Sequence, residues 1–266
     1  MIKEATFNQI RGIVYDSAGI ALSERKQALV CTRVSKRMRV LGLPDYETYL
    51  EYLDDNPDEL VGLLDSISTN VTSFFREPHH FEFIADEVAQ WYSAGQRRFR
   101  FWSAACSTGE EPYSLAMVLK ETLPSLDVDA RILATDISTE ALAASKNGVY
   151  GPKHITPVPA DLRKRWFVES STGKEPVWRA SKQLRDMIVF RRMNLSSPPF
   201  PMKGPLDAVF CRNVMIYFDD PVRLRLLEEI RRILKPGGYL IVGHAESLAG
   251  MIGDFKYVRP SVYRKE

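Results

Sequence analysis

Cysteine is scarce: the chain has three, Cys31, Cys106 and Cys211. Their wide spacing matches no zinc-ligand pattern and no disulfide framework. Cys106 and Cys211 lie in apolar, strand-like stretches, the setting of buried free thiols, which points to a reducing, cytoplasmic environment. Long hydrophobic runs are missing too, since none approaches the roughly 18 residues of a membrane span, so no membrane insertion is expected. No secretory leader is visible, Met1-Ile2-Lys3-Glu4 running directly into an amphipathic pattern. Neither sign of charge prevails: 36 lysines and arginines oppose 34 aspartates and glutamates. The resulting net charge of +2 excludes a general nucleic-acid-coating role. Repeats are absent, as is any Ser–His–Asp, Cys–His or paired-carboxylate constellation. What remains is ordinary globular material, 266 residues that are 45% hydrophobic and long enough for one or two packed domains.

The chain is organised around residues 99–113, FRFWSAACSTGEEPY. Phe99, Phe101 and Trp102 mark a buried strand, preceded by polar Gln96-Arg97-Arg98. Small residues from Ser103 to Gly109 form a turn, and Glu110, Glu111 and Pro112 open a helix. Strand, small-residue loop and helix start together make the nucleotide corner of an open α/β sheet. A dinucleotide would set its pyrophosphate against this helix end. Two glutamates repel it there, and the loop lacks G-x-G-x-x-G, offering only Gly109. A ligand with a cationic, phosphate-free tail suits the corner better, and S-adenosylmethionine, with its ammonium and sulfonium, is one. The bland alternative is that both glutamates only complement the helix dipole, worth roughly a few tenths of a kcal/mol.

The first 95 or so residues read as helical. Phe7, Ile10, Ile13 and Val14 keep helical spacing up to Gly19, and a longer helix is expected over residues 23–41. That second stretch carries six basic residues between Arg25 and Arg39 and no acidic one. Lys26, Arg33 and Arg37 share one line on it, flanked by Arg25, Lys36 and Arg39. A solvated face is one reading. A surface for an acidic partner is the other, because the opposite charge is concentrated in residues 45–65. Shorter helices fit 46–53 and 57–68. Residues 69–81, polar and aromatic at once, read as a segment folded over the ligand corner. His79-His80, with no third ligand near them in sequence, read as structural, and no metal is expected.

From residue 97 strand and helix patterns alternate, which indicates a mostly parallel sheet covered on both faces. Strands are expected at 99–102, 130–135, 206–211 and 239–243, with helices at 112–123, 139–146, 160–167 and 221–234. Short strands at 177–179 and 187–190 read as a small β insertion, and residues 251–263 as an antiparallel edge. The domain plan is a helical unit over 1–69, a linker or cofactor-covering segment over 70–95, and an α/β domain over 96–266 with a β subdomain near 168–190.

Candidate site residues fall at strand ends. Asp136 closes the second strand, where a carboxylate accepts both ribose hydroxyls of a nucleoside; helix capping is its other possible role. Asn194 and Leu195 precede a proline-rich turn where an amide meets an adenine edge. Arg212, Asn213 and Tyr217 follow the third strand at the sheet's carboxyl edge, with Asn213 in reach of a cofactor and Tyr217 either lining a transfer channel or packing in the core.

NVTSFFREPHHF, FWSAACSTGEEPYSLA, ILATDIS, GVY and VFCRNVMIYF together resemble the bacterial chemotaxis receptor glutamate methyltransferases, the CheR family, in order along essentially the whole chain. The resemblance implies an α/β, Rossmann-like S-adenosylmethionine-dependent methyltransferase domain with a small β insertion, preceded by an all-α domain. It implies a protein-glutamate O-methyltransferase that esterifies glutamate side chains of chemoreceptors. By similarity the cofactor site uses Asn70, Thr72, Arg76, Glu111, Asp136, Asn194, Leu195, Arg212 and Asn213, with Arg76 and Tyr217 nearest the reacting groups. Lys26, Arg33, Lys36 and Arg37 would face the acidic methylation region of the receptor. Nucleic acid is not the expected partner, because residues 25–39 hold no aromatic on which a base stacks. A glutamate carboxylate is already ionised at neutral pH, so its attack on a methyl needs no general base. Some members tether to a peptide at the receptor's tail through a glycine-rich loop. Here residues 170–178 hold only Gly173, so recognition through the helical domain, without that tether, is expected.

Overall fold

The computed structural model describes residues 2–266 apart from 125–126, 172–174, 249 and 252. Four helices, α1 (Glu4–Ala18), α2 (Gln27–Leu41), α3 (Tyr46–Asp55) and α4 (Glu59–Ile67), close around a core of their own. Phe7, Ile10 and Val14 of α1 join Val30, Val34 and Met38 of α2 over the buried Tyr49 and Leu63. Helical spacing puts each set on one stripe, which is why the pattern was readable. The single helix expected over 23–41 is instead a 3₁₀ turn at Glu24–Lys26 followed by α2. Gly19 ends α1 at φ 68, a left-handed conformation that glycine adopts without strain. A Cβ on it would fall 2.5 Å from Ser196 Cβ, so this glycine also lets the helical unit sit against the α/β unit.

The segment expected to be a linker is mostly helix, α5 (His79–Ser93). Its apolar face is core: Phe81, Phe83, Ile84 and Val88 pack with Phe99 and Phe101 on one face of the sheet. After it come β1 (Arg98–Ser103), α6 (Glu110–Thr122), β2 (Asp129–Asp136), α7 (Thr139–Asn147), β3 (Val149–Tyr150), α8 (Pro152–Ile155) and α9 (Ala160–Trp166). Then follow β4 (Phe167–Ser170), β5 (Val177–Ala180), α10 (Lys182–Arg185), β6 (Ile188–Arg192), β7 (Leu206–Cys211), α11 (Asp220–Ile233), β8 (Leu234–Val242), β9 (Phe255–Arg259) and β10 (Val262–Lys265).

The main sheet runs in the order β6-β2-β1-β7-β8-β10-β9. Its first five strands are parallel, and β10 and β9 add the antiparallel edge. Alternation along the strands separates two cores. Phe99, Phe101, Ala208 and Phe210 join the layer of α5 and α6, whereas Trp102, Val209 and Cys211 join Leu226, Leu227, Ile230 and Ile233 of α11. One strand was misplaced by the sequence pattern. Of residues 187–190, expected in the β insertion, 188–190 belong to β6, which pairs in parallel with β2 from Ile132↔Ile188 to Asp136↔Arg192. The small antiparallel sheet is β3-β5-β4, and its third strand is the Val149–Tyr150 pair. A short strand with only three apolar residues, 188–190, has the same pattern in either sheet, so only pairing decides.

The chain reverses direction across the sheet at β1, whose neighbours are β2 and β7. Open α/β sheets bind their ligands outside such a switch point, at the carboxyl ends of the strands. The helical unit caps this end. Asp65 of α4 accepts both the N–H (2.7 Å) and the hydroxyl (2.5 Å) of Thr139 at the start of α7, and Ala21 N–H donates to the Tyr217 carbonyl at 2.8 Å.

Candidate functional site

The turn after β1 owes its shape to glycine and to one carboxylate. Gly109, at φ 100, lies so close to Ser145 that a Cβ would come within 2.7 Å of the Ser145 Cβ. Asp136 Oδ2 accepts the Ser107 N–H at 2.7 Å, and Oδ1 accepts the Ser138 N–H at 2.9 Å. Each carboxylate oxygen has a second lone pair, so Asp136 keeps acceptor capacity. Burial pushes its carboxyl above the ordinary aspartate range, against the pull of those two backbone N–H groups.

The two glutamates of the helix start part company. Glu110 is fully buried and turned to the far side, where Oε2 accepts from the Thr108 hydroxyl at 2.6 Å and Oε1 lies 2.9 Å from His154 Nδ1. The expectation that both glutamates form one acidic corner therefore fails for Glu110; consecutive helix positions face about 100° apart. Glu111 faces inward. Its Oε1 accepts from Ser103 Oγ at 2.7 Å and its Oε2 from Arg212 Nη1 at 2.9 Å. Arg212, with its side chain 1% exposed, also lies 3.2 Å from Glu77 Oε2 and donates to the Arg76 carbonyl. Burial raises the Glu111 carboxyl, with Arg212 and Ser103 pulling the other way. Burial acts to raise Glu77 as well, but there the Arg212 guanidinium prevails and the carboxyl sits below its ordinary range.

The turn after β7 depends on Glu246, which the sequence reading did not single out. Its buried carboxylate accepts the N–H groups of Gly243 (2.6 Å), Asn213 (2.7 Å), Val214 (2.9 Å), Met215 (2.7 Å) and Ile216 (3.3 Å). This holds Asn213 in the left-handed region at φ 57 and sets the course of the chain to Tyr217. Burial raises the Glu246 carboxyl against these donors. No sequence signal marked it: HAES has no spacing relation to CRNVMIYF, 30 or so residues earlier.

Between the two turns lies a cavity of about 330 Å³. Asn70, Thr72, Arg76, Glu111, Asp136, Asn194, Leu195, Arg212, Asn213 and Tyr217 all line it. Five separate stretches of the chain thus converge on one space, at the lower end of the volumes typical of small-molecule sites. Its walls pair apolar Ile137, Leu195 and Phe218 with the carboxylates of Asp136 and Glu111. That donor set fits a nucleoside carrying a cationic tail: an apolar slot for a base, a carboxylate with free lone pairs for hydroxyls, and an acidic wall for an ammonium.

Two family models match the chain, an all-alpha domain of CheR methyltransferases over residues 5–68 and their SAM binding domain over 70–263. The chain belongs to the CheR methyltransferase family. It is 41% identical to the chemotaxis protein methyltransferase 2 of Pseudomonas aeruginosa, over 97% of this chain and 91% of that protein. The chemotaxis protein methyltransferase of Escherichia coli is 36% identical over 98% of this chain and 91% of its own length. That of Borreliella burgdorferi is 36% identical over 95% and 91%. The cofactor is S-adenosylmethionine, and the enzyme is a methyltransferase.

In this CheR chain the basic residues of the second helical stretch divide among three settings. Arg37 points into the helical unit, where Nε and Nη2 bind Glu59 at 2.8 and 2.6 Å and Tyr49 donates to the same carboxylate at 3.0 Å. It is therefore structural, and the expected four-residue receptor surface does not include it. Arg33 lines the cavity and spends its guanidinium on the Ile67 and Ser68 carbonyls and the Thr69 hydroxyl. Lys26 also lines the cavity, its Nζ 4.6 Å above the Tyr217 ring. Lys36 is exposed, as are Arg25 and Arg39. Within the stretch whose glycine content argued against a tether, Gly173 lies outside the described residues.

Proposed function

We propose that the receptor carboxylate enters the cavity beside Arg76 and Tyr217, and that the exposed cations of the helical unit guide the acidic methylation region to its mouth. The reaction is methyl transfer from S-adenosylmethionine to glutamate side chains of chemoreceptors, giving methyl esters for sensory adaptation. The bound cofactor supplies an electrophilic methyl group on a sulfonium. The chain's own task is to bind, align and desolvate. Asp136, the Asn194–Leu195 backbone and Asn213 hold the nucleoside, while Glu111 offers a negative wall to the amino-acid end.

One observation carries the placement of the substrate. Of the wall guanidiniums, Arg212 is neutralised between Glu77 and Glu111, and Arg33 is bonded to carbonyls. Arg76 makes one hydrogen bond, from Nη1 to the Val71 carbonyl at 2.9 Å, and pairs with no carboxylate among the described residues. It is thus the guanidinium free to take a carboxylate in a charge-assisted, directed pair. A general base has no part in this, since the nucleophile arrives ionised and gains from alignment and partial loss of water. The test is incubation with labelled cofactor and receptor cytoplasmic fragments. Label released by mild base identifies glutamate esters; base-stable label would point to N-methylation and reject the reading. Omitting the receptor's last residues leaves the rate within about twofold if the helical domain alone recognises the substrate.

A further inference from the structure

We propose that His79, His80 and His244 form a binding site for one divalent transition-metal ion, outside the cofactor cavity. Three of the chain's four histidines meet here, with one ligand atom from each lying within 4.8 Å of the others. His79 and His80 open α5, and His244 follows β8, so the fold alone brings them together. His79 Nε2 and His244 Nε2 are 2.9 Å apart. Tetrahedral Zn–N bonds of about 2.0–2.1 Å set ligand nitrogens about 3.4 Å apart, so that pair need open by only about 0.5 Å.

His80 is the second, independent observation. It is 0% exposed, and among the described residues neither ring nitrogen has a hydrogen-bond partner. An imidazole buried in that way loses its water bonds without replacement, which a metal–nitrogen bond restores. Its Nδ1 lies 3.5 Å from Glu77 Oε2, which places a carboxylate behind the ring and leaves Nε2 for the ion. The nearby Arg212 charge is flanked by Glu77 and Glu111 and so repels an incoming cation weakly. His244 is exposed and supplies the entry path. Three imidazoles select zinc, cobalt, nickel or copper over magnesium and calcium, which prefer oxygen. The ion would tie the start of α5 to the turn after β8, the two segments that carry Glu77 and Glu246.

Isothermal titration of the untagged, chelator-treated full chain with zinc chloride tests this. The expected result is one zinc per chain, with affinity reduced tenfold or more in His79→Ala and in His244→Ala, and unchanged in His154→Ala and by excess magnesium. His244 is exposed, so its variant keeps the fold even where His80→Ala does not; circular dichroism confirms it. Absence of saturable binding overturns the proposal. So does binding that survives both His79→Ala and His244→Ala, or that is lost equally in His154→Ala.

Discussion

Two turns close the carboxyl end of the sheet, one after β1 and one after β7, and each is tied down by a buried carboxylate, Asp136 from the end of neighbouring β2 and Glu246 from the turn that follows neighbouring β8. Asp136 holds the first by a single N–H and the start of α7 by another. Glu246 holds the second by four N–H groups and its own turn by a fifth. A carboxylate has about four lone-pair sites. Glu246 is therefore saturated, and it is absent from the cavity wall; Asp136 lies on that wall with acceptor capacity left. The same device gives a scaffold in one turn and a ligand-binding group in the other, and the number of donors already aimed at the oxygens makes the difference.

The largest effect is expected at the saturated turn. Glu246→Ala leaves five backbone N–H groups unpaired, a loss of about 3–5 kcal/mol, and lowers Tm by about 10 °C. A Tm within about 2 °C of the parent would show that the turn holds itself. Next comes Arg76→Ala, which lowers kcat for methyl incorporation about 100-fold while the cofactor Kd, read by calorimetry, stays within about threefold.

At the unsaturated turn, Asp136→Asn raises the cofactor Kd about tenfold, the value of a charge-assisted pair of acceptors, with a Tm change smaller than that of Glu246→Ala. Its pH dependence follows from the sign of the shift. Burial raises the Asp136 carboxyl, so on acidification it takes up a proton at a pH above that of an exposed aspartate. Cofactor affinity then falls from that higher pH, and Asp136→Asn removes this acid limb. The same shift means that raising pH through the interval costs some folded-state stability, because the unfolded carboxyl ionises first. The smallest effects separate the uses of the basic helix. Arg37→Met lowers stability by about 1–3 kcal/mol and leaves receptor KM unchanged, whereas Lys36→Ala raises receptor KM about threefold at constant Tm.

Much of this was legible because it is local. Helical stripes such as Phe7, Ile10 and Val14 and the strand–turn–helix around Gly109 each depend on residues a few positions apart. Asp136, Asn194, Leu195, Arg212, Asn213 and Tyr217 announced themselves by position at strand ends, whereas Asn70, Thr72 and Arg76 came only from the resemblance to the CheR family. Three features were not legible, each for a reason of distance. Residue 188 pairs with residue 132 across the sheet, so no neighbour revealed that β6 joins the main sheet. Arg37 and Glu59, 22 positions apart, sit on different helices, and a solvated charge run has the same pattern as one with an inward-facing member. Glu246 acts 30 or more positions away on backbone groups, which leave no trace in side-chain spacing.

Composition and periodicity alone determined that a helical unit precedes an α/β unit, and residue chemistry at a helix start and at strand ends pointed to a nucleoside with a cationic tail. Only the tertiary structure decided which charges remain free: Glu110 turned away, Arg212 neutralised, Arg37 spent on Glu59, Arg76 open to the cavity. A charge's function rests on its uncompensated part, and compensation is a three-dimensional property, set by partners that the chain brings from far away.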